Sequence, residues 1–236
     1  MLVAAAVCPC PPLLVPEVAA GAAPELDALR AACLDAVGVL AAARPERLLV
    51  VGPTGPEGSG RHPQGATGSF RGFGVDTGVR LGPDGAAGER TLPQSLAVAA
   101  WLLQRTGWAD APVEGLGVEE DLEPAACLAA GREAAAAPGR LALLAMGDGS
   151  ACRTLKAPGY LDERAAGFDA DAARALGAAD TAALAGVDPA TARELKAAGR
   201  APWQVLAGAA EGADLAGELL FDDAPYGVGY FVATWS

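Results

Sequence analysis

Leu141, Ala142, Leu143, Leu144, Ala145, Met146, followed by Gly147, Asp148, Gly149, Ser150, is the stretch that decides the fold. A short apolar run without a polar side, stopped by a glycine and an aspartate, reads as a buried central strand rather than an amphipathic helix. Ligands of open α/β sheets gather outside the carboxyl ends of strands, so Asp148 is a candidate cleft-facing carboxylate. The same aspartate would equally serve to cap the next helix or hold a turn.

On both sides of this run, strand and helix signals alternate, as a sheet flanked by helices requires. Leu2 to Val7 reads as a short strand that ends at Cys8, Pro9, Cys10, Pro11, Pro12. Leu26, Leu29, Cys33, Val37 and Leu40 recur every three or four residues, the spacing of one helix face between Pro24 and Ala43. Leu48 to Val51 is a second strand, and the segment Gly52 to Gly74, with eight glycines, reads as a long loop. Ser69 to Leu81 alternates enough for a strand pair, and a helix follows from Pro93 to Arg105. Pro112 to Val118 reads as a strand and Leu122 to Ala136 as a helix. Asp162 to Ala210 reads as several short helices, broken near Asp188/Pro189 and Ala201/Pro202. Glu218 to Phe221 and Val228 to Thr234 close the chain as strands. The expectation is one α/β domain over residues 1–236, with a central mixed sheet between helices.

Composition narrows the function classes. A hydrophobic content of 52% is ample for a core. A net charge of −12, with Lys156 and Lys196 the only lysines, repels phosphate backbones and anionic lipid, so neither nucleic acid nor membrane is expected as a partner. The opening run lacks a basic start, and nothing approaches the about 20 apolar residues of a membrane span. Five cysteines, an odd number, suit reduced thiols and a cytoplasmic location better than a disulfide framework.

Few residues carry chemistry. Cys8 and Cys10 stand two apart, so in extended backbone both thiols point to one side, either as a soft-metal or redox pair or as small apolar fillers. His62 is the single histidine, either a base or ligand, or a solvated loop residue. The glycine-rich segment lacks the Gly-Lys-Ser/Thr ending of a phosphate loop, so a flap or surface excursion fits it better. Asp222 and Asp223 are candidate ligands for a hard cation or a solvated strand start.

Several of these segments together resemble the superfamily of class III extradiol dioxygenase catalytic subunits, LigB-like or Memo-like in fold. Its opening Pro-His-Pro-Pro turn with a following Pro-Glu is similar to Pro9, Cys10, Pro11, Pro12 and Pro16, Glu17, with cysteine in the histidine slot. Its Ser-Pro-His corresponds to Gly52, Pro53, Thr54, and its Gly-Asp-x-Ser-His to Gly147, Asp148, Gly149, Ser150 followed by Ala151 and Cys152. Ala157, Pro158, Gly159, Tyr160 and Phe168, Asp169 resemble the continuation of that segment, and Asp223 to Tyr230 resembles the family's Glu-x-Pro-Phe-Gly-Val-Gly-Tyr ending.

Such enzymes hold Fe(II) with two imidazoles and a carboxylate. Carried over by position, the ligand set becomes Cys10, Thr54 and Asp223, with Cys152 or Ala151 at the acid/base position, a trio expected to bind Fe(II) poorly. The resemblance therefore implies a divergent member without ring-opening activity, a binding module for a small molecule or a protein, with its cleft beside Cys10, Thr54, Asp148, Cys152 and Asp223. The alternative is a metal- or thiol-dependent oxidoreductase or hydrolase rebuilt from Cys8, Cys10, Cys152, Asp223 or His62. No cofactor is expected under the first reading, Zn or Fe(II) under the second, and self-association is compatible with both. Close packing among these residues would favour an interaction role, and an open polar pocket would favour an enzyme.

Overall fold

The computed structural model describes residues 1–83, 85 and 90–236. In chain order the elements are β1 (Leu2–Cys8), α1 (Pro16–Ala19), α2 (Asp27–Ala42), β2 (Arg47–Thr54), β3 (Gly60–His62), β4 (Thr67–Ser69) and β5 (Gly78–Arg80). Then come α3 (Gln94–Thr106), β6 (Val113–Glu119), α4 (Pro124–Ala136), β7 (Leu141–Met146), α5 (Ala165–Gly177), α6 (Thr181–Ala185), α7 (Pro189–Glu194), α8 (Arg200–Ala209), β8 (Gly217–Asp223) and β9 (Tyr230–Trp235). Among the described residues seven strands form one sheet in the order β3-β6-β2-β7-β1-β9-β8. The four central strands β6, β2, β7 and β1 are parallel, and antiparallel strands border them on both sides, so the sheet is mixed.

The apolar run at Leu141–Met146 is β7, with every side chain buried. Alternation in the strand sends Ala142, Leu144 and Met146 to the face covered by α2 and α3, and Leu141, Leu143 and Ala145 to the face covered by α4, α5, α6 and α8. A strand covered on both faces has no polar side to show, which is why the run reads as continuous. Each large apolar side chain sealed this way contributes about 1.5–3 kcal/mol.

Three expectations need correction. Gly52 to Gly74 is not a long loop: β2 continues through Thr54, Gly60–His62 pairs antiparallel with β6, and Thr67–Ser69 pairs with β5. Glycine permits this because Gly115 and Gly117 of β6 leave room for the edge strand and the turn before it; an added Cβ at Gly117 would stand 2.1 Å from the Gly58 oxygen. The helix expected from Pro24 begins at Asp27, after a 3-10 stretch over Ala20–Leu26. The break expected at Ala201/Pro202 lies before Arg200, and Pro202 sits in the first turn of α8, where its missing N–H would have no partner anyway.

The segment after β7 is tied down by one carboxylate. Asp169 of α5, 1% exposed, accepts hydrogen bonds from Ser150 N (2.8 Å), Ser150 Oγ (2.8 Å) and Arg153 (3.0 Å). Asp169→Ala leaves both Ser150 donors unanswered in a buried setting and the part-exposed Arg153 without its ion pair, with an expected loss of about 2–4 kcal/mol. Urea denaturation checks this: the midpoint should fall with the slope unchanged, and a loss below about 1 kcal/mol would contradict the role assigned to this carboxylate.

Candidate functional site

The four parallel strands end on one side of the sheet, and the residues just past or at their ends are Cys10, Thr54, Glu120 and Asp148. Together with Gln94 and Ser95 at the start of α3 they line a cleft of about 1020 Å³. Each arrives there for a local reason. Pro9, Pro11 and Pro12 cannot extend β1, so the chain turns and the Cys10 amide is released to donate to Asp148 Oδ1 at 2.7 Å. Ser95 Oγ donates to the Pro53 carbonyl at 2.7 Å and fixes α3 against the end of β2. Arg200, 2% exposed, donates to the carbonyls of Glu120 and Leu122 and to Gln204 Oε1 (3.1 Å), which holds the turn that carries Glu120.

The backbone of Asp148 is held from below. Gly199 donates to the Asp148 carbonyl at 2.8 Å, and an added Cβ at Gly147 would lie 2.4 Å from Gly199 Cα, so the two chain segments touch only because both positions lack side chains.

Burial pushes the Asp148 carboxyl up to about 7; Glu120 adds to the shift and the Cys10 amide opposes it. Burial and then Asp148 and Glu120 push the Cys10 thiol well above its ordinary value, and burial with Asp148 and Cys10 does the same to Tyr230. Near neutral pH the cleft thus combines the protonated Cys10 thiol with a carboxyl poised between its two forms, and the buried Tyr230 phenol behind them stays protonated. Such a carboxyl can hold or release a proton, the property required of a general acid or base.

Of the five residues expected to meet, Cys10, Thr54 and Asp148 line the cleft, and Cys152 and Asp223 do not. Cys152 is sealed with Ala165 and Leu195, its thiol donating to the Leu195 carbonyl at 3.5 Å, because the chain after Ser150 turns away from the strand ends toward α5. Asp223, at the exposed end of β8, accepts from its neighbour Ala224 N at 2.7 Å. His62 is not a solvated loop residue. Edge pairing turns Arg61 outward to Glu114 and Glu133 and turns His62 inward, 1% exposed, where Nε2 donates to the Gly58 carbonyl at 2.9 Å. Cys8 and Cys10 do share one face of the sheet, with Cys33 of α2 beside Cys8.

Of the positions carried over for Fe(II), Cys10 and Thr54 share the cleft wall and Asp223 lies outside it; a protonated thiol and a hydroxyl do not fit that ion. Among the described residues no group of three or more His, Cys, Asp or Glu is placed to hold any metal ion. Glu120, Gln94 and Ser95 went unnoticed in the sequence. The strand-end rule that pointed to Asp148 points to Glu120 as well, since it follows the run Pro112 to Val118.

No family model and no curated protein matches the chain. Among solved structures it is similar to that of the uncharacterized protein JW3007 from Escherichia coli K12, with a TM-score of 0.54 and 14% identity over 99% of each chain. At that identity the likeness carries the fold alone: an α/β protein with a central mixed sheet flanked by helices. Among the described residues no helix is long and apolar enough to cross a membrane.

The raised Asp148 carboxyl has a stability signature. Its folded value, about 7, lies above the ordinary 3.8, so its contribution is fully present below about pH 4 and is lost as pH rises through 7. Asp148→Asn removes that dependence. Relative to the parent the variant should gain about 2–3 kcal/mol between pH 5 and pH 8, at about 1.4 kcal/mol per unit. Thermal melts at both pH values check it; a pH-independent difference would contradict the assignment.

Proposed function

We propose that this chain is a divergent relative of the class III extradiol dioxygenase and Memo-type scaffold that binds a small molecule in the strand-end cleft without ferrous iron. The observation that carries the reading is the cleft itself: about 1020 Å³, at the upper limit of pockets that enclose small ligands, with Cys10, Thr54 and Asp148 from three resemblance-bearing segments on its wall. Close packing of the whole set would favour a docking role; Cys10, Thr54 and Asp148 instead border open space, which favours a small molecule, whether bound or turned over. The donor set supports the absence of iron from the mechanism: a neutral thiol, a hydroxyl and a distant carboxylate offer no imidazole and no facial arrangement. The net charge of −12 supports a partner other than nucleic acid.

One observation favours a catalytic variant of the same reading. Asp148, held near 7 and open to the cleft, suits proton transfer to or from a bound molecule, with the Cys10 thiol beside it on the cleft wall. An enzyme built on Cys152, Asp223 or His62 loses support, since the three lie apart from the cleft.

The test of the iron-free reading is direct. Purified protein incubated anaerobically with Fe(II) and then desalted should retain far less than one iron per chain, and it should neither consume oxygen nor develop the yellow ring-opening product with catechol. Stoichiometric iron together with catechol cleavage would contradict it.

A further inference from the structure

We infer that the cleft takes a small organic cation, an amine whose ammonium group sits between Asp148 and Glu120; this rests on reading the cleft as a small-molecule site. Three carboxylates, Glu57, Glu120 and Asp148, line the space. Among the described residues none of them has a Lys, Arg, His or amino-terminal nitrogen within 4.0 Å. The cation on the cleft wall, Arg90, is turned to backbone: it donates to the carbonyls of Ser59 and Arg61, each at 2.9 Å. Arg193 and Lys196 line an adjoining hollow of about 540 Å³ that shares Thr54 and Glu120, and neither reaches ion-pair distance of Glu120.

The second line is the bonding of the floor. Asp148 Oδ1 is occupied by the Cys10 amide, while Oδ2 makes no hydrogen bond among the described residues. It is also not one of the sealed unpaired side-chain atoms, which are Arg200 Nε and Trp203 Nε1, so it opens to the cleft. Beside it Cys10, 5% exposed, presents a neutral thiol whose sulfur makes no hydrogen bond either. An ammonium brings three donors and a positive charge to acceptors that the chain leaves unanswered, and the part-buried setting of Asp148 strengthens the charge-assisted bond made there. An anion in the same place would face two carboxylates, a cost that like charges in a partly dry site do not recover.

The experiment uses the full chain, ¹⁵N-labelled, with benzylamine, benzyl alcohol and benzoate as probes of one shape and three charges. Benzylamine should shift the amides of Cys10, Gln94 and Glu120 and bind about tenfold or more tightly than either other probe, the scale of one charge-assisted bond. Asp148→Asn should weaken benzylamine by about tenfold, and Glu120→Gln, at an exposed carboxylate, by about two- to fivefold, both leaving benzyl alcohol unchanged. The groups facing Asp148 are Cys10, Cys33, Glu120 and Tyr230, and the three thiol and phenol groups among them are held protonated, so affinity should rise from pH 6 to pH 8 as Asp148 ionises. Benzyl alcohol or benzoate matching benzylamine at the same amides would overturn the cation while leaving the cleft as a small-molecule site. Probes that shift no cleft amide would overturn both, and undiminished benzylamine binding in the folded variants would overturn the role of the two carboxylates.

Discussion

Where β1 and β7 run side by side through the middle of the sheet, the Cys10 amide beyond one donates to the Asp148 carboxylate beyond the other at 2.7 Å. That bond joins two strand ends that prolines and glycines have freed from the ladder. Asp148 is clamped from its other side by the Gly199 amide, which approaches only because Gly147 and Gly199 have no Cβ to collide. The position of the carboxyl, its partial burial and its open second oxygen all follow from this clamp.

The electrostatic character of the cleft is the direct consequence. A carboxyl fixed in a partly dry site, facing Glu120 across the space, is costly to ionise, and the neighbouring thiol and phenol are held in their protonated forms for the same reason. A carboxyl in such surroundings can hold or release a proton near neutral pH.

The layered α/β architecture was legible because its evidence is local. The run Leu141–Met146 is apolar throughout since both of its faces are covered, and the i, i+3, i+4 pattern of Leu26 to Leu40 can only be a helix face. Asp148 was legible by its place after a strand. What escaped notice depended on pairing at long range. Glycine-rich sequence looks like loop until Gly60–His62 finds β6 as a partner, and only that pairing buries His62 and turns Arg61 outward. Cys152 and Asp223 were expected in the cleft, but the path of the chain after Ser150 and after β8 is set by packing against α5 and by exposure at the sheet edge, which spacing does not encode. The Arg200 contacts to Glu120 and Leu122 join residues about eighty positions apart and leave no trace in either local segment.

A single carboxyl held near neutrality by its surroundings underlies the chemistry of the cleft. A ¹³C-detected titration of the Asp148 side-chain carboxyl in the intact protein measures this without any ligand or variant. A midpoint close to 7 is the predicted result. A midpoint in the ordinary aspartate range, near 4, would mean that the clamp does not desolvate the group, and the electrostatic reading of the cleft would be wrong.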